Sequence, residues 1–533
     1  MNKSGQAFLD VREIIWLDVD MMCGIEYEEF PARIAEVAMW LMDHQMNMAI
    51  SNEFGQYFAR LPLKKAANIV HGNALKIEWE SLVNKNNLSF ILGNPPFIGK
   101  QMQNVEQKLD MEIIFSNLKG NGVLDYVSAW YLKSAEYIKD TRIVAAFVST
   151  NSISQGEQAG LLWNFLFQIY NVKIHFAHRT FNWRNEAKGN AAVHVVIIGF
   201  ANFNISTKRL YEYDDINSLP HEIEVKNINP YLVEGKDFAI TSRTKPICNV
   251  QAMMNGSMPN DNGNFLLTKE ERDDLLKLES GLSVYIKKFV GAFEYLNNHE
   301  RYCIWLKDAQ PNELKKFHNL MKRIEAVKDF RSNSTREATR KLANAPFLFG
   351  EIRQPNSAYL IAPVVSSINR KFIPIDIYPK EIIASNLVNI IPNASLYTLG
   401  VMSSFMMMTW IRNVAGRLKS DWRFTKDNVY NNYPWPENPS EKQILAIEEK
   451  AQKVLDVRKD FPNSSLADLY DPLTMPPSLV KAHNELDKAV DLAYRPQAFL
   501  SEAKRMEFLF ELYEKYTADL FTKVKVKKVA TKK

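Results

Sequence analysis

The sequence is poor in cysteine: Cys23, Cys248 and Cys303 are three in number and far apart, which excludes a disulfide framework and a CxxC metal site and suits a reducing cytoplasm. It lacks the uninterrupted hydrophobic segment of a secretory signal in MNKSGQAFLDVREIIWLDVD, which carries acids through its apolar stretch, so export is not expected. It has no large excess of one charge. With 66 Lys and Arg against 61 Asp and Glu, the net +5 is compatible with a polyanionic partner and too small to demand one. Residues 382–411 hold no charge, yet Asn386, Asn389, Pro392 and Asn393 interrupt them, so they read as a buried strand and a Met-rich helix and no membrane is implied. Internal repeats are absent as well.

What is present is ordinary globular protein, 46% hydrophobic and 24% charged, with length for two to four domains. From 21 to about 203, the apolar runs MMCGI, NIV, SFILG, IVAAFVS, VKIHFA and AVHVVIIGF read as strands. Between the first two, Ile34, Val37, Ala38 and Leu41 have the spacing of a helix that buries one side, and Leu124 to Ile138 predicts another such helix. An α/β, doubly wound sheet covered on both faces is the expected fold. Around 204–265 the text turns polar and broken, ending in NGSMPNDNGNF, which predicts a connecting segment. Residues 266 to about 436 mix short strands and helices. From about 437 to 522 the periodicity is helical, including Leu479, His483, Leu486 and Val490, and 523–533 form a basic tail.

The sharpest signal is Asn94-Pro95-Pro96-Phe97, directly after SFILG and so at the C-terminal end of a predicted strand, where open α/β sheets place ligands. These residue types suit transfer to an exocyclic amine, whose lone pair is delocalised into its ring and must be localised before it attacks. The Asn94 side-chain oxygen can accept one hydrogen bond from the amine, and the Pro95 carbonyl, stiffened by two prolines, a second. Phe97 offers a flat face for a base swung out of a duplex. No Pro-Cys dipeptide occurs, so the covalent attack needed at cytosine C5 has no candidate nucleophile.

With these residues in view, the sequence resembles the MmeI-like type II restriction-modification enzymes and related stand-alone adenine methylases. CGIEYEEFPARIAEVAMWLMDHQMN, LPLKKAANIVHGNALKIEW, ILGNPPFIGK, FVSTNSISQGEQ, FNWRNEAKGNAAVHVVIIGF, GRLKSDWRFTKDNVYNNYPWP and LYDPLTMPPSLVKAHNELDKAVDLAYR are similar to successive family segments. The resemblance implies a Rossmann-like class I methyltransferase sheet in residues 1–203, incomplete at its start. It then implies a mixed α+β target-recognition domain at 266–436 and a helical C-terminal domain at 437–522. The implied reaction is transfer of a methyl group from S-adenosylmethionine to adenine N6 in duplex DNA. Glu26 takes the place of the carboxylate that bonds the cofactor's ribose hydroxyls. Asn73 stands where relatives carry an Asp against the cofactor adenine. Asp125, Tyr126 and Trp130 open the helix beside cofactor and base, although Asp125 reads equally as a helix cap. Phe181 and Trp183 resemble the aromatic support of the flipped base, or pack in the core. The family's acidic, Gly-rich first motif has no counterpart before Glu26, where residues 1–20 contain only Gly5. A separate N-terminal methyltransferase or nuclease polypeptide is therefore an expected partner, without which the chain would be a silent specificity fragment.

For DNA, residues 315–341 hold nine Lys or Arg against three acids, which reads as a phosphate track or a solvated helix face. SSINRKFIPI offers Asn369, Arg370 and Lys371 as purine-reading side chains, and GRLKSDWRF adds Arg417, Lys419 and Arg423.

Overall fold

A computed structural model describes residues 15–55, 57–58, 66–183, 193–213, 218–418 and 421–521. The backbone divides into two compact units, one of residues up to Ile153 together with Leu161–Ile228, the other of Ser154–Gly160 and the chain from Asn229 onward.

In the first unit every apolar run forms a strand: β1 (Cys23–Glu26), β2 (Asn68–His71), β3 (Phe90–Gly93), β4 (Val144–Thr150), β5 (Lys173–Trp183) and β6 (Val193–Ala201). Two more follow, β7 (Lys208–Glu212) and β8 (His221–Val225). The helices are α1 (Glu29–Phe54), α2 (Trp79–Leu82), α3 (Val105–Ile114), α4 (Ser128–Tyr137) and α5 (Gly156–Tyr170). A six-stranded mixed sheet runs in the order β3-β4-β6-β5-β7-β8, while β1 and β2 pair in parallel as a sheet of their own. The centre of the large sheet is tied by aromatic packing. Fully buried Tyr131 of α4 stacks on Phe200 at 5.3 Å and meets Phe147 and Trp163 edge-on. Its hydroxyl, which would otherwise be orphaned, pairs with Ser149 Oγ at 2.8 Å.

Two sequence expectations need correction. The apolar stripe of α1 is not buried: Ile34, Val37 and Leu41 are 51%, 60% and 59% exposed, Ala38 is exposed too, and the helix buries Ala32, Asn47 and Ser51 instead. The periodicity describes a face that needs a surface to lie on, and among the described residues none is there. The six-stranded sheet is covered on both faces at its centre, where Ala145, Ala146 and Phe147 of β4 and Val195 and Val196 of β6 are buried, and is open at its edge strand β3, whose Phe90 and Leu92 are 67% and 79% exposed. The helix expected from Leu124 starts at Ser128.

The second unit holds two four-stranded sheets and a three-stranded ribbon. Phe265, Leu282, Ile304, Leu320 and Val327 lie in the core of one sheet, and Tyr359, Ile361, Val388 and Ile390 in that of the other. The uncharged stretch becomes the strand Val388–Pro392 and the helices Leu396–Met402 and Phe405–Val414, with Met406, Met407 and Met408 buried. No described helix is long and apolar enough to cross a membrane. Leu479, His483, Leu486 and Val490 are buried along Pro477–Tyr494, as their spacing predicts.

Gly400 shows how closely these helices approach, for a Cβ there would stand 2.5 Å from Ile447 Cγ2 of the helix Glu441–Lys459. Alanine is better than glycine in a helix by about 1 kcal/mol. Overpacking costs about 1–3 kcal/mol, so the clash outweighs the propensity. Gly400→Ala is expected to lower the calorimetric unfolding midpoint by several degrees, and an unchanged midpoint would mean that the helices part freely.

Candidate functional site

In the first unit the segments after β1, β2 and β3 meet at one cavity of about 860 Å³. Glu26 ends β1 and Tyr27 follows it, Gly72 and Asn73 follow β2, and Asn94, Pro95 and Pro96 follow β3. Convergence at strand C-termini is what an open α/β sheet provides. Gly93 at the end of β3 sits close to the Phe147 ring, from which a Cβ there would lie 3.0 Å, so a side chain would need the ring to shift by a few tenths of an ångström.

The corner after β3 is held by its backbone. Ile98 N donates to Pro96 O at 3.1 Å, Tyr126 N donates to Ile98 O at 2.9 Å, and Lys100 N donates to Asp125 Oδ1 at 3.0 Å. Asp125 is thus a tie for this loop, not a helix cap, and it does not line the cavity. Pro95 is buried and Asn94 exposed, and no hydrogen bond engages the Asn94 side chain or the Pro95 carbonyl among the described residues. Phe97 is half-buried and lies outside the cavity lining.

Asn73 is held differently from the expectation. Its Oδ1 accepts from Leu75 N at 2.9 Å and its Nδ2 donates to Asp110 Oδ2 at 3.1 Å. The same carboxylate oxygen accepts from Tyr126 OH at 2.7 Å. Burial, followed by this bond, pushes the Tyr126 phenol well above its ordinary range. Lys133 then pins the loop after β2: its ammonium donates to the carbonyls of Ala74, Leu75 and Ile77 at 2.8, 2.9 and 2.6 Å, and burial draws its pKa down. Asp110 and Lys133 were missed in the sequence, where no local motif marks them. Tyr126 and Trp130 line the cavity and meet edge to face at 5.3 Å.

The base-supporting candidates lie at the end of β5, which runs further than its apolar core predicts. Phe181 stacks on Tyr213 at 5.1 Å, so its ring is engaged in packing, while the Trp183 side chain lies outside the described residues.

In the second unit, Asn369 and Lys371 are exposed in the loop between Val365–Ser366 and Asp376–Tyr378, and burial draws the Arg370 guanidinium down. Arg417 lies over the Trp422 ring at 3.9 Å, with burial drawing its pKa down to about 10. Arg423 is exposed on the neighbouring strand, and Lys419 lies outside the described residues. The basic stretch 315–341 loses one member as a phosphate contact: Arg331 is fully buried and donates to the carbonyls of Pro259, Asn260, Leu342, Ala345 and Leu348. Lys315, Lys316, Lys322 and Lys328 remain exposed.

Residues 4–212 match the domain family described as MmeI, DNA-methyltransferase domain. Residues 234–437 match the MmeI target recognition domain, and 439–521 the MmeI C-terminal domain. DNA methyltransferase A of Bacillus subtilis (strain 168) is 40% identical over 497 residues, which are 93% of this chain and 56% of that protein. The chain therefore spans little more than half the length of this relative. The solved structure of the Type IIL restriction-modification enzyme MmeI in complex with DNA is 48% identical, with a TM-score of 0.82, over 97% of this chain and 69% of that one. Three MmeI domains matched in order, with this identity and shared fold, mean that the chain belongs to the MmeI family and carries its DNA-methyltransferase, target recognition and C-terminal domains.

Proposed function

We propose that this chain is a site-specific DNA methyltransferase that moves a methyl group from S-adenosylmethionine to adenine N6. The observation that carries the reading is the pair of acceptors, Asn94 Oδ1 and Pro95 O, without a hydrogen-bond partner among the described residues on a corner that shares one cavity with the Glu26 carboxylate. Two acceptors on one amine draw its hydrogens to one side and favour a pyramidal nitrogen with its lone pair free. One N–H proton leaves once the new N–C bond has formed. The cleft fits part of the cofactor: Glu26 can accept from vicinal ribose hydroxyls, and Tyr126 and Trp130 wall the space beside Asn73. S-adenosylmethionine, when bound, supplies the electrophilic methyl group. Alignment of amine and donor then supplies most of the acceleration. An adenine must leave the duplex to reach this cleft.

Tritium transfer from labelled S-adenosylmethionine to duplex DNA, RNA and protein acceptors tests the reading. Label in the N6-methyladenine of DNA supports it, and label only in RNA or protein rejects it.

DNA contact belongs to the second unit, where residues 234–437 match a target recognition domain. Lys322 and Lys328, exposed on the helix His318–Ser332, supply phosphate contacts in this reading. Replacing both with alanine is expected to flatten the salt dependence of binding by up to roughly 0.9 per lysine in the log–log slope, without changing sequence preference. An unchanged slope in fluorescence anisotropy would remove these lysines from the interface.

A further inference from the structure

Asp110 stands against the pattern of its own helix. Along α3, Val105, Leu109 and Ile113 are 84%, 53% and 63% exposed, whereas the Asp110 side chain keeps only 3% of its surface. A helix that turns aliphatic side chains outward and a carboxylate inward breaks the amphipathic rule, and breaks of this kind concentrate at functional sites. Asp110 also lines the cavity. Its two oxygens are used unequally. Oδ2 accepts from Tyr126 OH and Asn73 Nδ2 at 2.7 and 3.1 Å. Oδ1 receives no hydrogen bond among the described residues and meets only the Lys76 ammonium, at 3.6 Å, on a side chain that is 57% exposed. A buried carboxylate oxygen without donors is costly, so this acceptor is offered to whatever fills the cavity.

The neighbouring acceptors are already taken. Asn73 Oδ1 accepts from Leu75 N, the Asn73 carbonyl from Lys76 N and Ile77 N, and the Ala74 carbonyl from Lys133 Nζ and Trp79 Nε1. An N–H donor entering beside Asn73 therefore meets Asp110 Oδ1 as the open buried acceptor. Tyr126 and Trp130 add flat apolar walls there. Gly72 N donates to Glu26 O at 2.8 Å and fastens this loop to the end of β1, so the Glu26 and Asp110 carboxylates serve one cavity from adjoining segments. A planar ring that bears an exocyclic amine and is joined to a sugar matches this set of groups.

We propose, on the reading of the chain as an S-adenosylmethionine enzyme, that Asp110 Oδ1 accepts an N–H of the exocyclic amine on the methyl donor's adenine and so supplies the carboxylate that Asn73 does not carry. Asp110 is then the residue that selects the cofactor's base. A 6-oxo purine would set a carbonyl oxygen against the carboxylate, and a purine without the amine would leave Oδ1 buried and unpaired.

Calorimetric titration of the complete chain, without DNA, tests this with S-adenosylhomocysteine, its 6-oxo (inosyl) analogue and the analogue lacking the amine. The chain is expected to bind the amino compound about 10–100-fold more tightly than either analogue, the range for one hydrogen bond to a charged group. In Asp110→Asn the new amide keeps its oxygen on the Tyr126 and Asn73 donors and turns its NH2 to the cavity, so the preference should invert in favour of the 6-oxo compound. A merely structural role would weaken all three ligands alike. Should that variant fail to fold, NMR of S-adenosylhomocysteine labelled at the amine nitrogen decides on the parent chain, where one amine proton is expected to shift downfield on binding. Unshifted amine protons, equal affinity for the three compounds, or an amine preference unchanged in Asp110→Asn would overturn the proposal and leave the methyltransferase reading standing. Failure to bind any of the three would overturn both.

Discussion

Replacing Asn94 with alanine is expected to cut methyl transfer about a thousandfold while leaving DNA affinity within twofold. The side chain is exposed and bonds to nothing among the described residues, so its loss costs the fold little. What disappears is an acceptor aimed at the reacting amine, and removing one such preorganised group slows catalysis by about 10²–10³-fold. Because the contact strengthens as the nitrogen pyramidalises, the loss falls on kcat more than on KM. Single-turnover kinetics alongside an anisotropy titration would separate chemistry from binding. Turnover near that of the parent would remove Asn94 from the reaction. Loss of DNA binding in parallel would make it a structural residue instead.

The second large effect lies far from the chemistry. Arg331→Met is expected to cost about 3–5 kcal/mol, since each buried carbonyl left without a donor costs about 1–3 kcal/mol. All five guanidinium N–H groups are satisfied, reaching Asn260 O at 2.9 Å, Leu342 O and Ala345 O at 3.2 Å, Pro259 O at 2.9 Å and Leu348 O at 2.8 Å. These carbonyls belong to loops on either side of the helix His318–Ser332, so one side chain fastens three segments. Methionine fills much of the same space yet takes the guanidinium donor from Asn260 O and Leu348 O, while Pro259 O, Leu342 O and Ala345 O keep Gly350 N, Ala345 N and Leu348 N. Calorimetry should show the unfolding midpoint of the second unit falling by roughly 10 °C, since 1 kcal/mol shifts a unit of this size by about 2–4 °C. Lys322→Ala and Lys328→Ala, on the same helix but exposed, should stay within about 0.5 kcal/mol of the parent. A midpoint in Arg331→Met equal to theirs would mean that water replaces the guanidinium.

Arg331 also marks where sequence reasoning reaches its limit. It stands among nine basic residues in 27 positions, and composition treats all nine alike as candidates for phosphate. Only the packing of Leu320, Ile324 and Val327 against the sheet decides that the Arg331 position turns inward. The stripe of α1 fails in the opposite sense, for its spacing is correctly helical and its burial is not. Spacing reports which residues share a face; it cannot report what that face meets. Asp110 and Lys133 were illegible because their partners are remote: Asn73 lies 37 residues from Asp110, and Ala74 59 residues from Lys133.

The sequence by itself determined the first six strands and the corner Asn94-Pro95-Pro96, because strand periodicity, strand-end position and proline stiffness are written in contiguous residues, and it missed the strands Lys208–Glu212 and His221–Val225 in the polar stretch read as a connection. Tertiary structure alone decided which of those elements share a cavity and that Asn73 is held by Asp110. Such facts depend on contacts between distant segments, whose geometry no local pattern encodes.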